Sequence, residues 1–361
     1  MRILVSGSAG FIGTALVEFC KKAGHEVVRL VRVEGNFQER QVKWAPDRGD
    51  LDPAGLEDLG AVVHLAGENV FGLRWTSTTK KRIRDSRVEG TALLCGALAG
   101  LARKPKILVS SSAVGFYGNR GEEVVDETSA PGTGFLADVC RDWEAATLPA
   151  RNAGIRVVNL RTSLVLDPSG GALKTMLPAF KLGAGGTIGS GNQYMPWILR
   201  EELLRVIEYC LLREDVEGPV NAATPQPVTN REFTKILAQE LHRPALLPVP
   251  SPLLHLIMGE AADELLLASC RAVPTRLHDS GFQFEHSGLH SALHHLLGCV
   301  QSSESFSDQS ASSDKVRQVS PVRPVRLAGW TGPGGQPHPY PPVLEKHLSK
   351  VAKAAYNRPT C

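Results

Sequence analysis

The chain has no CxxC pair, no His/Cys/Asp/Glu cluster at metal-ligating spacing, and no apolar run long enough to span a bilayer. No metal and no membrane association are therefore expected. Its seven cysteines (Cys20, Cys95, Cys140, Cys210, Cys270, Cys299 and Cys361) are dispersed and odd in number, which fits a reducing compartment better than a disulfide framework. The first apolar strand pattern begins at residue 2, which leaves no room for a signal or transit peptide, so a cytoplasmic protein is expected. Charge of one sign is also lacking. Lys and Arg number 40 against 37 Asp and Glu, and a net +3 gives no global case for nucleic acid or a membrane surface.

What is present is ordinary globular composition, 42% hydrophobic and 21% charged over 361 residues, enough for a large α/β unit with a lobe. The opening carries the most information. Ile3 to Ser6 read as a short buried strand, Gly7, Gly10 and Gly13 follow in a GxxGxxG spacing, and Thr14 to Cys20 continue as a helix. Glycine there permits a tight reversal, close approach of a ligand to the backbone, and close packing of helix on strand. The helix start then offers free N–H groups and a positive dipole end to a pyrophosphate. Further strand patterns at 26–31, 61–66, 106–110 and 155–160 alternate with helical stretches, clearest at 78–101 and 136–146. Such alternation predicts an α/β fold with a doubly wound, mostly parallel Rossmann sheet.

The second strand lacks the carboxylate that binds a ribose 2′-hydroxyl in NAD-binding folds. It ends in Val31 and Arg32, and Arg32 stands 19 residues past Gly13. A guanidinium there pairs with a 2′-phosphate, so NADP is the expected cofactor.

After about residue 168 the texture changes. A glycine-rich stretch at 183–191 is followed by helical patterns at 201–213 and 230–242, then by a long helical stretch reaching 269. The expected organisation is a dinucleotide-binding domain over 1–168 and a substrate lobe over 169–298, with a strand returning to the sheet near 218–224. Seven serines between Ser302 and Ser313, then Pro, Gly and Arg, mark 299–361 as a low-complexity, disordered tail.

Taken together, these residues resemble the extended short-chain dehydrogenase/reductase superfamily, in its atypical branch of NADP-dependent, epimerase-like and cell-division-inhibitor-like proteins. The carriers are GSAGFIG from Gly7, Val31-Arg32, HLAGEN from His64, SRVEGT from Ser86, SSSAVGFYG from Ser110, FLADVC from Phe135, LRT from Leu160 and MPWI from Met195. The resemblance covers about residues 1–298. It implies cofactor contacts from Gly7, Gly10, Phe11, Ile12, Gly13, Val31 and Arg32. It places His64, Leu65, Ala66 and Gly67 along the adenine ribose and pyrophosphate, and turns Arg87 toward a phosphate, with Arg82 a secondary candidate. Arg161 is expected on the nicotinamide side.

The superfamily's acid–base machinery is a serine with Tyr-x-x-x-Lys. Ser112 matches the serine, but Leu136 and Cys140 fall where tyrosine and lysine should stand. Tyr117 is the nearest other phenol and the remaining catalytic candidate. Leu199 replaces a histidine of the branch, and Ser163 a glycine. The resemblance implies an NADP-dependent oxidoreductase or epimerase-like enzyme, passing hydride to or from a small carbonyl or alcohol substrate. The missing pair supports the alternative, a catalytically inactive NADP-binding sensor or scaffold. Exposed-helix dimers are common in the superfamily, which allows a homodimer.

Overall fold

Ile3, Leu4 and Val5 are fully buried, as a strand covered on both faces requires. They belong to β1 (Arg2–Ser6) in a computed structural model that describes residues 1–71 and 74–298. The tail expected to be disordered, 299–361, lies outside the described residues. The central sheet adds β2 (Glu26–Val31), β3 (Arg40–Ala45), β4 (Asp50–Leu51), β5 (Ala61–His64), β6 (Ile107–Ala113), β7 (Arg156–Thr162) and β8 (Gly218–Ala222). Its order is β8-β7-β6-β5-β1-β2-β3-β4, with every neighbouring pair parallel except the β3–β4 hairpin. The winding direction reverses between β1 and β5. This is the doubly wound, mostly parallel architecture expected.

Alternate side chains of β1 serve opposite faces. Ile3 and Val5 meet α1 (Phe11–Lys22) and, through Val63 and Val109, a later helix (Arg200–Leu212). Leu4 meets Leu94 and Leu98 of α2 (Ser77–Gly100). In α1 the buried Leu16, Val17 and Cys20 recur at helical spacing. Each large apolar side chain so buried contributes roughly 1.5–3 kcal/mol. Beside α2 lie α3 (Phe135–Ala145) and the short α4 (Leu148–Asn152).

The longer helices that follow are α5 (Gly171–Lys181), α6 (the Arg200–Leu212 helix), α7 (Asn230–Glu240), α8 (Ser251–Met258) and, at the terminal end of the described residues, a terminal helix over 289–298. A separate core joins Leu173 and Phe180 of α5, Phe233 and Leu237 of α7, and Leu289, Leu293 and Leu297 of the terminal helix. Residues Met1–Leu297 form one compact unit, with β8 joined to the central sheet at 218–222 and α6 packed against that sheet. Sequence reading passed over β3 and β4, because β3 mixes polar and apolar residues and the edge strand β4 is only two residues long. The long helix expected to reach 269 is broken at Gly259, whose φ of +61° ends α8.

Candidate functional site

Where winding reverses, a crevice opens beyond the strands' carboxyl ends. Ser6 and His64 stand side by side there. Ser6 Oγ lies 2.7 Å from His64 Nδ1 and accepts the N–H groups of Leu65 at 3.0 Å and Ala66 at 3.2 Å. His64 Nε2 lies 3.0 Å from Thr91 Oγ1, which also accepts from Trp143 Nε1 at 2.9 Å. Burial pushes the His64 pKa down to about 4, so the ring is neutral near pH 7. The network is satisfied when Ser6 donates to Nδ1 and Nε2–H donates to Thr91. His64 was expected to line the ligand. Its fully buried ring instead props the crevice from beneath.

The glycine loop is set by close approaches. Gly7 has φ +64°, and a Cβ there would lie 2.9 Å from the Leu65 carbonyl. A Cβ on Gly13 would lie 2.1 Å from Gly7 O, so this residue lets α1 sit against the loop. Gly10 donates to Gly7 O at 2.9 Å and accepts from the Thr14 N–H at 2.9 Å. Among the described residues, no acceptor is matched to the N–H of Phe11, Ile12 or Gly13, and the first turn has neither a side-chain cap nor an acidic residue. The Ser8 hydroxyl is buried and without a partner. Free donors, an uncompensated positive helix end and an orphan hydroxyl fit a dinucleotide pyrophosphate. The Phe11 and Ile12 side chains pack instead, Phe11 against Gly170 and Ile12 against the main core.

At the end of β2, Val31 is buried and serves packing. Two arginines divide the remaining work. Buried Arg29 donates to Ser8 O at 2.9 Å and to Glu39 Oε2 at 2.9 Å, with its guanidinium 4.4 Å above the Phe37 ring. Hydrogen bonds from Arg29 and then Lys21 hold the Glu39 carboxyl at about 2. That neutralised pair anchors the glycine loop. Arg32 is exposed and matched to no carboxylate among the described residues, which leaves its charge available to an anion.

The other end of the crevice departs from expectation. Ser112 and Arg161 are register partners on β6 and β7. Arg161 Nε and Nη2 donate to the two Glu144 oxygens at 2.8 and 2.9 Å, and Nη1 donates to Tyr117 Oη at 3.0 Å. The guanidinium stacks 3.5 Å above the Phe116 ring. Ser112 donates to Glu144 Oε1 at 2.7 Å, and Tyr117 donates to Asn221 Oδ1 at 2.7 Å. All three side chains are engaged by protein partners. Tyr117 is fully buried, burial pushes its hydroxyl up to about 12, and its proton is directed at Asn221 Oδ1. Arg161 is buried and spent on Glu144 and Tyr117. Ser112 is buried with its proton committed to Glu144.

On α3, Leu136 and Cys140 both face Gly115, and burial pushes the Cys140 thiol up to about 12. Neither residue replaces the tyrosine or lysine. Arg87 of α2 is different. It is half-buried, donates to Ile83 O at 3.0 Å and lies over the Trp143 ring at 5.1 Å. A Cβ added to Gly67 would stand 3.3 Å from its guanidinium carbon. Arg87 has no ion pair among the described residues, and its charge acts on the Cys140 thiol. Arg82 is exposed, 3.9 Å from Glu68, and adds little to the crevice. Ser163 turns its hydroxyl to Ala222 O at 2.8 Å, and Leu199 is fully buried in the lobe core.

Sequence reading missed Glu144, Arg29, Glu39 and Glu264. Glu264 caps α3, accepting the Phe135 and Leu136 N–H groups at 2.6 and 2.7 Å. All four meet partners far away in the chain, so no local spacing marks them. The same holds for Glu201, His286 and His295, whose ligand atoms fold to within 4.8 Å of one another where no metal cluster was expected.

Comparison with known proteins agrees with this geometry. Residues 3–223 match the family model described as the NAD dependent epimerase/dehydratase family. The chain belongs to that family. Residues 249–296 match a domain of unknown function. An epimerase family protein of Mycobacterium bovis is 43% identical over 293 residues, 81% of this chain and 96% of the relative. The human epimerase family protein SDR39U1 is 35% identical over 301 residues, 82% of this chain and 100% of that protein. A crystal structure of its isoform 2 with NADPH matches with a TM-score of 0.76 at 34% identity, over 82% of this chain and 99% of that one. Among the described residues, no helix of this epimerase-family chain is long and apolar enough to cross a membrane.

Proposed function

We propose that this chain is a non-catalytic NADP(H)-binding protein that lacks the tyrosine–lysine acid–base pair of its superfamily. One observation carries the second half. Ser112, Tyr117 and Arg161 are bonded to Glu144, Asn221 and one another, so none offers a free proton or donor to a substrate. The first half is supported by the free N–H groups of Phe11, Ile12 and Gly13, the Ser8 hydroxyl, and exposed Arg32. These would hold the pyrophosphate and the 2′-phosphate. Bound NADPH supplies a hydride. The NADPH of the human relative's structure supports the same choice of dinucleotide.

A second reading, hydride exchange with a small carbonyl or alcohol, is favoured by Arg87. It brings an unpaired cation near Cys140, the position of the missing lysine, and water would then supply the proton. Calorimetry with NADPH and NADH tests the binding. Arg32→Ala should weaken NADPH by about 10–100-fold, the worth of one or two charge-assisted hydrogen bonds, and leave NADH nearly unchanged. Equal affinity of the wild type for both cofactors would overturn the NADP assignment. NADPH oxidation across a carbonyl panel separates the two readings, since turnover above background contradicts the first.

A further inference from the structure

Spaced irregularly along the chain, the histidines suggest no ligand set, yet the fold gathers three donors from three places. Glu201 stands in the first turn of α6, His286 in the loop before the terminal helix, and His295 on that helix. Both imidazoles aim Nε2 at the same carboxylate oxygen, Glu201 Oε1, from 2.9 Å for His295 and 3.4 Å for His286. Their rings stack with centroids 4.6 Å apart. We propose that Glu201, His286 and His295 bind one divalent transition-metal ion of zinc type, with a further coordination position left to water.

The separations suit the ion. Tetrahedral zinc at its usual bond lengths holds ligand atoms about 3.4 Å apart. Two of the three separations here are already 2.9 and 3.4 Å, and all lie within 4.8 Å. Rotation of partly exposed side chains closes the rest. The donor set of two imidazoles and one carboxylate is also one that zinc accepts.

Each ligand is carried on an anchored backbone. Glu202, 1% exposed, accepts the N–H groups of Glu285 and His286 at 3.1 and 3.2 Å and pairs with Arg205. This fixes the loop that presents His286. Leu289, Leu293 and Leu297 pin the terminal helix into the lobe core. The ligating heads remain open to solvent, which gives an ion a way in. Bound there, the ion ties the terminal helix to α6, and so the lobe to the cover of the central sheet. A neighbouring pair, His290 and His294, meets the two separate oxygens of Glu240 at 3.2 and 3.1 Å. It is the natural internal control.

The test uses the full chain stripped with a chelator and titrated with zinc chloride by calorimetry, and with cobalt chloride by visible absorption. Wild type should bind one zinc tightly, show intensified cobalt d–d bands, and unfold at a higher temperature with zinc. His295→Ala and Glu201→Gln should each lose about tenfold or more in zinc affinity. The double variant His290→Ala/His294→Ala should retain it. Circular dichroism and NADPH binding report whether each variant is folded, and Glu201→Gln, which keeps the side-chain shape, covers the case in which His295→Ala is not. Absence of a zinc-dependent heat in wild type, equal affinity in the folded trio variants, or loss confined to the His290/His294 variant overturns the proposal.

Discussion

Glu144→Gln is the sharpest perturbation of the polar network. The side chains of Glu144 and Arg161 are 12% and 4% exposed, so their pairing is little screened by water. Glu144 Oε1 accepts from both Ser112 and Arg161 Nε, and Oε2 accepts from Arg161 Nη2. Glutamine supplies only one acceptor oxygen. If it takes the Oε1 place, its amide nitrogen faces Nη2, donor against donor. Breaking a buried ion pair from one side costs about 3–5 kcal/mol. The hydrogen bonds that glutamine keeps offset about 1–2 kcal/mol. A loss of roughly 2–3 kcal/mol remains, or about 3–5 °C in Tm for a unit of this size. Urea and thermal unfolding followed by circular dichroism measure it. The double variant Glu144→Gln/Arg161→Met leaves no buried unpaired guanidinium. It should therefore be less destabilised than the sum of the two single variants, by about 1 kcal/mol or more. A Glu144→Gln protein within about 0.5 kcal/mol of wild type, a change typical of uninvolved surface positions, would refute the reasoning. So would strict additivity in the double variant.

Two further outcomes follow from the crevice. Gly13→Ala would place a methyl 2.1 Å from the Gly7 carbonyl oxygen, with only backbone to give way, so α1 must shift and NADPH binding should be lost in calorimetry. Gly10→Ala, with its nearest atom at 3.2 Å, should be milder, and equal binding by Gly13→Ala and wild type would contradict the close approach. His64 has a folded pKa of about 4 against an ordinary 6.5, so its unfolded form takes up the proton first as pH falls. Its stability contribution is complete above about 6.5 and is lost as pH falls through about 4. Urea midpoints across that window should fall more steeply for wild type than for His64→Gln, and parallel curves would count against a buried neutral ring.

Legibility in the sequence followed the range of the contacts. The strand, GxxGxxG and helix are contiguous, and each glycine has a local consequence, so the crevice could be placed before any coordinates. The loss of tyrosine and lysine from α3 was equally visible, because Leu136 and Cys140 share one helix face four residues apart. Burial was not visible. Tyr117 ends a strand segment of the kind that carries exposed catalytic groups, and only its bond to Asn221, 104 residues onward, shows that it faces inward. Glu144, on α3, likewise gains its role from Arg161 on β7, and β3 was hidden by its mixed polar and apolar pattern.

The same distinction bears on what the nicotinamide end can do. An acid–base pair on one helix keeps phenol and ammonium in fixed register, so the cation tunes the proton donor directly. In this chain the cation near that place comes from α2, as Arg87, while the phenol lies on the far side of Arg161, locked to Asn221. Arg87 can still attract cofactor oxygen atoms, because a guanidinium stays charged when partly buried. It has no phenol beside it to tune. A cation that can hold a cofactor and a phenol bonded elsewhere thus sit on separate elements, so the proposed binding function asks nothing of Tyr117, and Tyr117→Phe should leave NADPH affinity unchanged in calorimetry.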